Sequence, residues 1–245
     1  MLVHRVRCAG LDGLHARCEK YYAQGARFAK WRTALRIGPN SPSKLAITEA
    51  AHGLARYARI CQEAGLCPIV EPEILIDGDH DVATTSKYQE EIITKVYDCL
   101  QDHGVLLEGS LLKPSMTVNG VECKTKASPA EVAELTVRTF ERTIPAAMPG
   151  VVFLSGGISE EDSSIFLNEI NKIDRKGPWR LTFSFSRALQ SSCLKIWEGK
   201  PENVDKAQAQ LVARAQANSE ASKGEYKAGS QPSIEESLYV KNYVY

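Results

Sequence analysis

The chain has 245 residues, 43% of them apolar and 24% charged, a composition that can bury a substantial core and excludes global disorder. Thirty basic residues balance thirty acidic ones, so no whole-chain field gathers nucleic acid or holds the protein on an anionic membrane, and any anion site has to be local. No apolar run approaches the roughly 18 residues that span a bilayer, and the N-terminus lacks the apolar core and cleavage site of a signal peptide, so the expectation is a cytoplasmic protein with no membrane or nucleic-acid partner.

Residues 1–9 fit no periodic pattern, whereas Gly10-Leu11-Asp12-Gly13-Leu14 reads as a turn entering a helix over 14–24 that stops at Gly25. Residues 28–37, FAKWRTALRI, roughly alternate apolar and cationic side chains and predict a strand, ended by Gly38-Pro39-Asn40. Ser43 is a suitable cap and Gly65 a suitable stop for a helix over 43–64, and CPIVEPEIL follows at once as a second strand. The alternation continues with a helix over 88–103, a strand over 105–113 (VLLEGSLLK), a helix over 128–144, a strand over 150–155 and a helix over 160–172. A fifth strand over 179–184 and helices over 187–197 and 204–220 complete the pattern. Five β/α units of this kind predict an α/β fold of the (β/α)₈ TIM-barrel type over residues 1–220, incomplete because five strands cannot close such a barrel. Residues 221–245, rich in Gly, Ser and Lys and ending in LYVKNYVY, are expected to form a mobile C-terminal arm.

Seven scattered cysteines with no C-x-x-C spacing, and five histidines with neither H-x-H nor H-E-x-x-H spacing, argue against disulfides and against a metal or other cofactor. The chemistry is instead written at the strand ends: Lys30 and Arg32, Glu71 and Glu73, Lys113, Ser155-Gly156-Gly157, and Ser184 with Arg187. One charged strand end is usually a strand meeting solvent, but five in succession point to a site at the C-terminal ends of a parallel sheet. Lys113 closes an apolar run, and Pro114 ends the ladder there. Burial and a neighbouring cation such as Lys30 both disfavour the ammonium, which leaves an amine nucleophilic toward a ketone; a lysine that merely snorkels from a strand end is the alternative. Alternation along Glu71-Pro72-Glu73 is expected to aim one carboxylate into the barrel and the other away or toward a lysine. A carboxyl so held can donate the proton with which a carbinolamine loses water, or can simply form an ion pair with Lys30. Ser155-Gly156-Gly157, ending a strand before a helix, can converge backbone N–H groups on a phosphate, and Arg187 suits bidentate contact with the same anion, so a phosphorylated substrate is indicated.

GLDGL, FAKWR, PIVEPEIL-DGDHD, LLEGSLLKPSM, FLSGG-SEE, TFS-x-x-RALQ and the terminal Tyr245 occur in an order that resembles the class I fructose-bisphosphate aldolases, from about Gly10 to the last residue. The resemblance implies a metal-independent lyase that cleaves fructose 1,6-bisphosphate through a lysine Schiff base and assembles as a homotetramer. By that likeness Lys113 corresponds to the Schiff-base lysine, Glu71 to the carboxylate that handles dehydration protons and Lys30 to the cation beside them. Glu73 and Arg32 correspond to supporting residues, and Ser155, Gly156, Gly157, Ser184 and Arg187 to the phosphate-binding group. Tyr245 corresponds to the C-terminal tyrosine that exchanges a proton with the enamine.

Two departures stand out. The chain begins just before the fourth of the family's eight strands, so a strand-one aspartate and a strand-three lysine have no counterpart. The family's S-Y-G-R also reads Ser184-Phe185-Ser186-Arg187 here, and a serine in a backbone that required positive φ would cost about 1 kcal/mol. The alternative to an active lyase is accordingly an impaired fragment or paralogue that serves as a binding or structural partner.

Overall fold

The computed structural model describes residues 10–241, so Tyr245 and residues 1–9 lie outside it. Five strands, β1 (Phe28–Arg36), β2 (Cys67–Leu75), β3 (Leu111–Leu112), β4 (Gly150–Phe153) and β5 (Arg180–Phe183), form one parallel sheet in sequential order. A helix α1 (Leu14–Ala23) precedes the sheet. Helices α2 (Lys44–Glu63), α3 (Val82–Asp102), α4 (Pro129–Thr143), α5 (Glu160–Lys172) and α6 (Arg187–Trp197) each follow a strand, and α7 (Val204–Ala221) comes last.

Helix starts are set locally. Ser43, Asp81, Ser128 and Ser159 each accept a backbone N–H three residues on, from Ala46, Thr84, Glu131 and Asp162 at 3.2, 2.7, 3.2 and 3.0 Å. The Asp81 cap starts α3 at Val82, earlier than the periodicity beginning at 88 suggests, and the Thr84 contacts hold the Asp81 carboxyl below the usual carboxylate range. The core lies between the outer face of the sheet and the helices, where Leu54, Leu112, Phe140, Phe153 and Leu167 are fully buried and the rings of Phe140 and Phe153 stack at 5.6 Å.

The third strand is much shorter than 105–113. Gln62 takes the local backbone polar groups, accepting from Leu106 N–H at 2.9 Å and donating to Leu106 O at 2.7 Å, and Leu107–Gly109 turns as a 3₁₀ helix. The ladder resumes only at Leu111 and continues past β3, with Lys113 N–H donating to Val70 O at 2.7 Å. Ser186, at φ −106°, does not occupy the left-handed region, so the backbone cost considered for a serine there does not arise.

Candidate active site

In β1 and β2 the side-chain period of two puts Lys30 and Arg32 on one face, and Glu71 and Glu73 likewise on one face. This corrects the expectation that the two glutamates diverge: a single residue, Pro72, separates them, and both are buried. Glu71 bridges two ammonium groups, with Lys30 Nζ 3.0 Å from Oε2 and Lys113 Nζ 3.3 Å from Oε1. Beside it Arg32 Nε donates to Glu73 Oε2. The two lysines differ in solvation, since the Lys113 side chain is 12% exposed and that of Lys30 is 42% exposed. Lys113 is therefore the amine that has lost most of its water, and Lys30 the one that still reaches it.

The backbone around Lys113 is fixed on both sides. Its own N–H is tied to β2, Pro114 O accepts from Leu154 N–H at 3.1 Å, and Ser115 Oγ brackets Ile74, accepting from its N–H at 3.0 Å and donating to its carbonyl at 3.1 Å. Gln89, from α3, donates to Ser115 O at 2.7 Å. The backbone that carries the Lys113 side chain is thereby held in place before any ligand arrives.

The anion-binding candidates follow β4 and β5. Ser155 is buried next to the end of β4, and Ser184 continues the β5 ladder by donating its N–H to Phe153 O at 2.8 Å. Gly156 and Gly157 have φ of 58° and 97°. At Gly157 a Cβ would stand 3.1 Å from the Cα of Tyr239, so glycine is required both by conformation and by the backbone lying on it. Gly156 adjoins the lysine cluster, its ideal Cβ position being 3.9 Å from Glu73 Oε1.

Segment 237–239 lies across this surface. Ser237 Oγ donates to Gly157 O at 3.3 Å, Arg187 Nη1 donates to Leu238 O at 2.6 Å, and the Tyr239 hydroxyl donates to Asp77 Oδ1 at 2.7 Å, a bond that raises the phenol above its ordinary value. The root of the segment is held by two buried glutamates at the start of α5. Glu161 accepts from the Tyr226 hydroxyl, Gly229 N–H and Ser233 Oγ at 2.9, 2.8 and 2.6 Å, and Glu160 accepts from Ser192 N–H and Ile234 N–H at 2.8 and 3.0 Å. Burial pushes the Glu161 carboxyl up, but these donors outweigh it and hold the group below the usual range.

The structure thus brings Lys30, Arg32, Glu71, Glu73 and Lys113 together, sets Gly156 beside them, and joins Gly157 to Arg187 through residues 237–239. Ser155 and Ser184 lie at the ends of the neighbouring strands. Tyr245 lies outside the described residues. Asp77, Glu160 and Glu161 fall in the DGDHD and SEE motifs but carry no role readable from the sequence; the paired acids directly after a Ser159 cap are the signal that marks the last two.

Parallel strands in sequential order, each followed by a helix, with charged side chains gathered within β1 and β2 and just past β3 rather than at the strand ends, define a protein of the (β/α)₈-barrel class. The family model "Fructose-bisphosphate aldolase class-I" matches residues 3–245. The chain is 58% identical over 238 residues to fructose-bisphosphate aldolase 4, cytosolic, of Arabidopsis thaliana, covering 96% of this chain and 61% of that protein. It is 56% identical over 237 residues to the cytoplasmic isozyme of Spinacia oleracea, covering 96% and 66%. A solved structure of fructose-bisphosphate aldolase from Plasmodium falciparum, in complex with TRAP and a small molecule inhibitor, superposes with a TM-score of 0.88 at 55% identity, over 90% of this chain and 64% of that one. The chain belongs to the class I fructose-bisphosphate aldolase family, and it spans 61% to 66% of the length of these curated relatives.

Proposed function

We propose that the chain carries the Schiff-base centre of a cytoplasmic fructose-bisphosphate aldolase acting in glycolysis, with Lys113 as the nucleophile. The observation that carries this reading is the bridge of Glu71 between Lys30 and the more buried Lys113. In the reaction the Lys113 amine adds to the ketone of fructose 1,6-bisphosphate to give a carbinolamine. Glu71 gives a proton to its hydroxyl, and water leaves to form the iminium. The hydroxyl on the carbon next but one gives up its proton as the carbon–carbon bond breaks. The bonding electrons pass into the iminium to form an enamine, and glyceraldehyde 3-phosphate departs. Protonation of the enamine, in which Tyr245 takes part by family likeness, and hydrolysis then release dihydroxyacetone phosphate and restore the lysine. The iminium is the electron sink, so the sequence of steps calls on no cofactor.

Lys30 offsets negative charge beside the reacting carbon, while the Arg32–Glu73 pair fixes the flank of the site. Ser155, Gly156, Gly157, Ser184 and Arg187 bind a substrate phosphate, which has to take the place of the Leu238 carbonyl on Arg187. A homotetramer is proposed from family likeness, and residues 221–245 are proposed to act as an arm whose root stays held by Glu160 and Glu161 while its far end docks on and leaves the site.

The test is to incubate the chain with dihydroxyacetone phosphate, reduce with borohydride and map the adduct by mass spectrometry. The expected product is a single reduced adduct at Lys113, absent in Lys113→Met. Folded protein with no adduct, or with adduct spread over surface lysines, would replace this reading with that of an impaired family member acting as a binding or structural partner.

A further inference from the structure

Two histidines from different helices meet away from the strand ends. His52 is exposed in the middle of α2, and His103 is the residue that closes α3. His52 Nδ1 and His103 Nε2 are 3.5 Å apart, with the rings at 69° and centroids separated by 5.8 Å. That separation is long for a hydrogen bond. It suits two nitrogens that share a metal: with metal–nitrogen bonds of about 2.0–2.1 Å it subtends about 115° at the ion, near the tetrahedral value.

The surroundings agree. His103 sits at the C-terminal end of a helix of 21 residues, where unpaired carbonyls and the helix dipole favour a cation. The end of α3 is also lashed to α2, by Arg59 Nη1 donating to Gly104 O at 3.0 Å and by Gln62 holding both backbone groups of Leu106. The spacing of the two backbones that carry the rings is therefore set by rigid elements. Arg59, the cation bonded to Gly104 O at this corner, is countered by Glu63 at 2.9 Å.

We infer that His52 and His103 form a bidentate site for a divalent first-row transition metal that binds imidazole nitrogen. Neutral imidazoles at this angle suit tetrahedral Zn²⁺, and the exposed His52 ring can turn to the smaller angle that Ni²⁺ and Cu²⁺ take, whereas Mg²⁺ and Ca²⁺ prefer oxygen ligands and bind no better here than elsewhere on the surface. Coordination requires the proton of His52 on Nε2 and that of His103 on Nδ1, leaving the facing nitrogens as donors of their lone pairs. Among the described residues no three His, Cys, Asp or Glu side chains are grouped to hold a metal, so water fills the remaining positions. A bound ion staples α2 to the end of α3, and the folded state gains stability as RT ln(1 + m/Kd), with m the free metal concentration.

The probe is Ni²⁺ alone, titrated into the full chain at pH 7.5 while the imidazole resonances are followed by NMR. The His52 and His103 signals are expected to broaden together, at metal concentrations at least about tenfold below those that affect His15 or His80. Calorimetry on His52→Ala and on His103→Ala is expected to show at least a tenfold loss of affinity in each, and a shift to pH 5.5 the same, because protons compete for the imidazoles. His52→Gln and His103→Gln preserve bulk and polarity and guard against a folding defect. If any single variant that folds keeps the parental affinity, or the two resonances respond at different metal concentrations, the chelate is overturned.

Discussion

Under the proposed reaction Glu71 has two tasks, and one isosteric substitution removes both. As a carboxylate it holds two ammonium groups in one small volume, and as an acid it can give a proton to a departing hydroxyl. Glu71→Gln preserves shape and removes both charge and acidity. The expected result is adduct formation at Lys113 slowed about a hundredfold, the usual scale for losing a positioned general acid, as read by quenching the borohydride trap at successive times. An unchanged rate would assign the proton to another group. The neighbouring pair makes an asymmetric prediction. Glu73 is the more buried partner and Arg32 still touches solvent, so Arg32→Ala strands a buried carboxylate while Glu73→Ala lets the guanidinium turn outward. Arg32→Ala is expected to cost about 3 kcal/mol and Glu73→Ala about half of that, with coupling of about 1–2 kcal/mol in the double-mutant cycle. Equal costs in denaturant titrations would mean the pair is solvated more evenly than its burial indicates.

At the scale of elements, α2, α4 and α5 are legible in the sequence because their signals are local: a serine cap three residues ahead of the N–H it satisfies, and an apolar stripe behind it. The start of α3 is obscured because Asp81 is one of three aspartates in a row of polar residues, and only its contact with Thr84 distinguishes the cap. The strand-like composition of 105–113 misleads for a different reason, since Gln62, more than forty residues away, takes the backbone groups a strand would need. The same applies to the candidate site: its charged residues can be picked out by the pattern, although Lys30, Arg32, Glu71 and Glu73 lie inside β1 and β2 rather than at strand ends, whereas Asp77 and the Glu160–Glu161 anchor act through partners far along the chain. That anchor carries a pH dependence. The folded Glu161 carboxyl lies below its ordinary value, so its stabilisation is complete above about pH 4.3 and is lost as pH falls through the depressed folded value. Hydrogen exchange of residues 227–241 should therefore be flat from pH 7 to about 5, after correction for intrinsic rates, and rise below about 4. Glu161→Gln should raise it about tenfold to a hundredfold at neutral pH, the value of hydrogen bonds to one charged acceptor. Protection that is indifferent to both changes would place the anchor elsewhere.

On the scale of the whole molecule, the sheet has two ends. Among the described residues β1 is paired only with β2 and β5 only with β4, so one side of each presents unpaired N–H and C=O groups. The β1 end is the more hazardous, because it is nine residues long and begins with Phe28, 65% exposed, whereas β5 has four residues. Its cations, Lys30 and Arg32, are drawn toward Glu71 and Glu73 and so do little to keep another strand away. A chain of this length with such an edge should self-associate as concentration rises, by adding strand to strand at β1. Phe28→Lys places a charge at the start of that edge, and sedimentation velocity should show the associated fraction falling severalfold while the far-UV spectrum stays the same. The competing route is the apolar surface of α6, where Trp197 and Leu194 are exposed. Trp197→Lys is the control: if it alone disperses the chain, association runs through that helix, and the open edge of β1 is already protected by its own twist and charge.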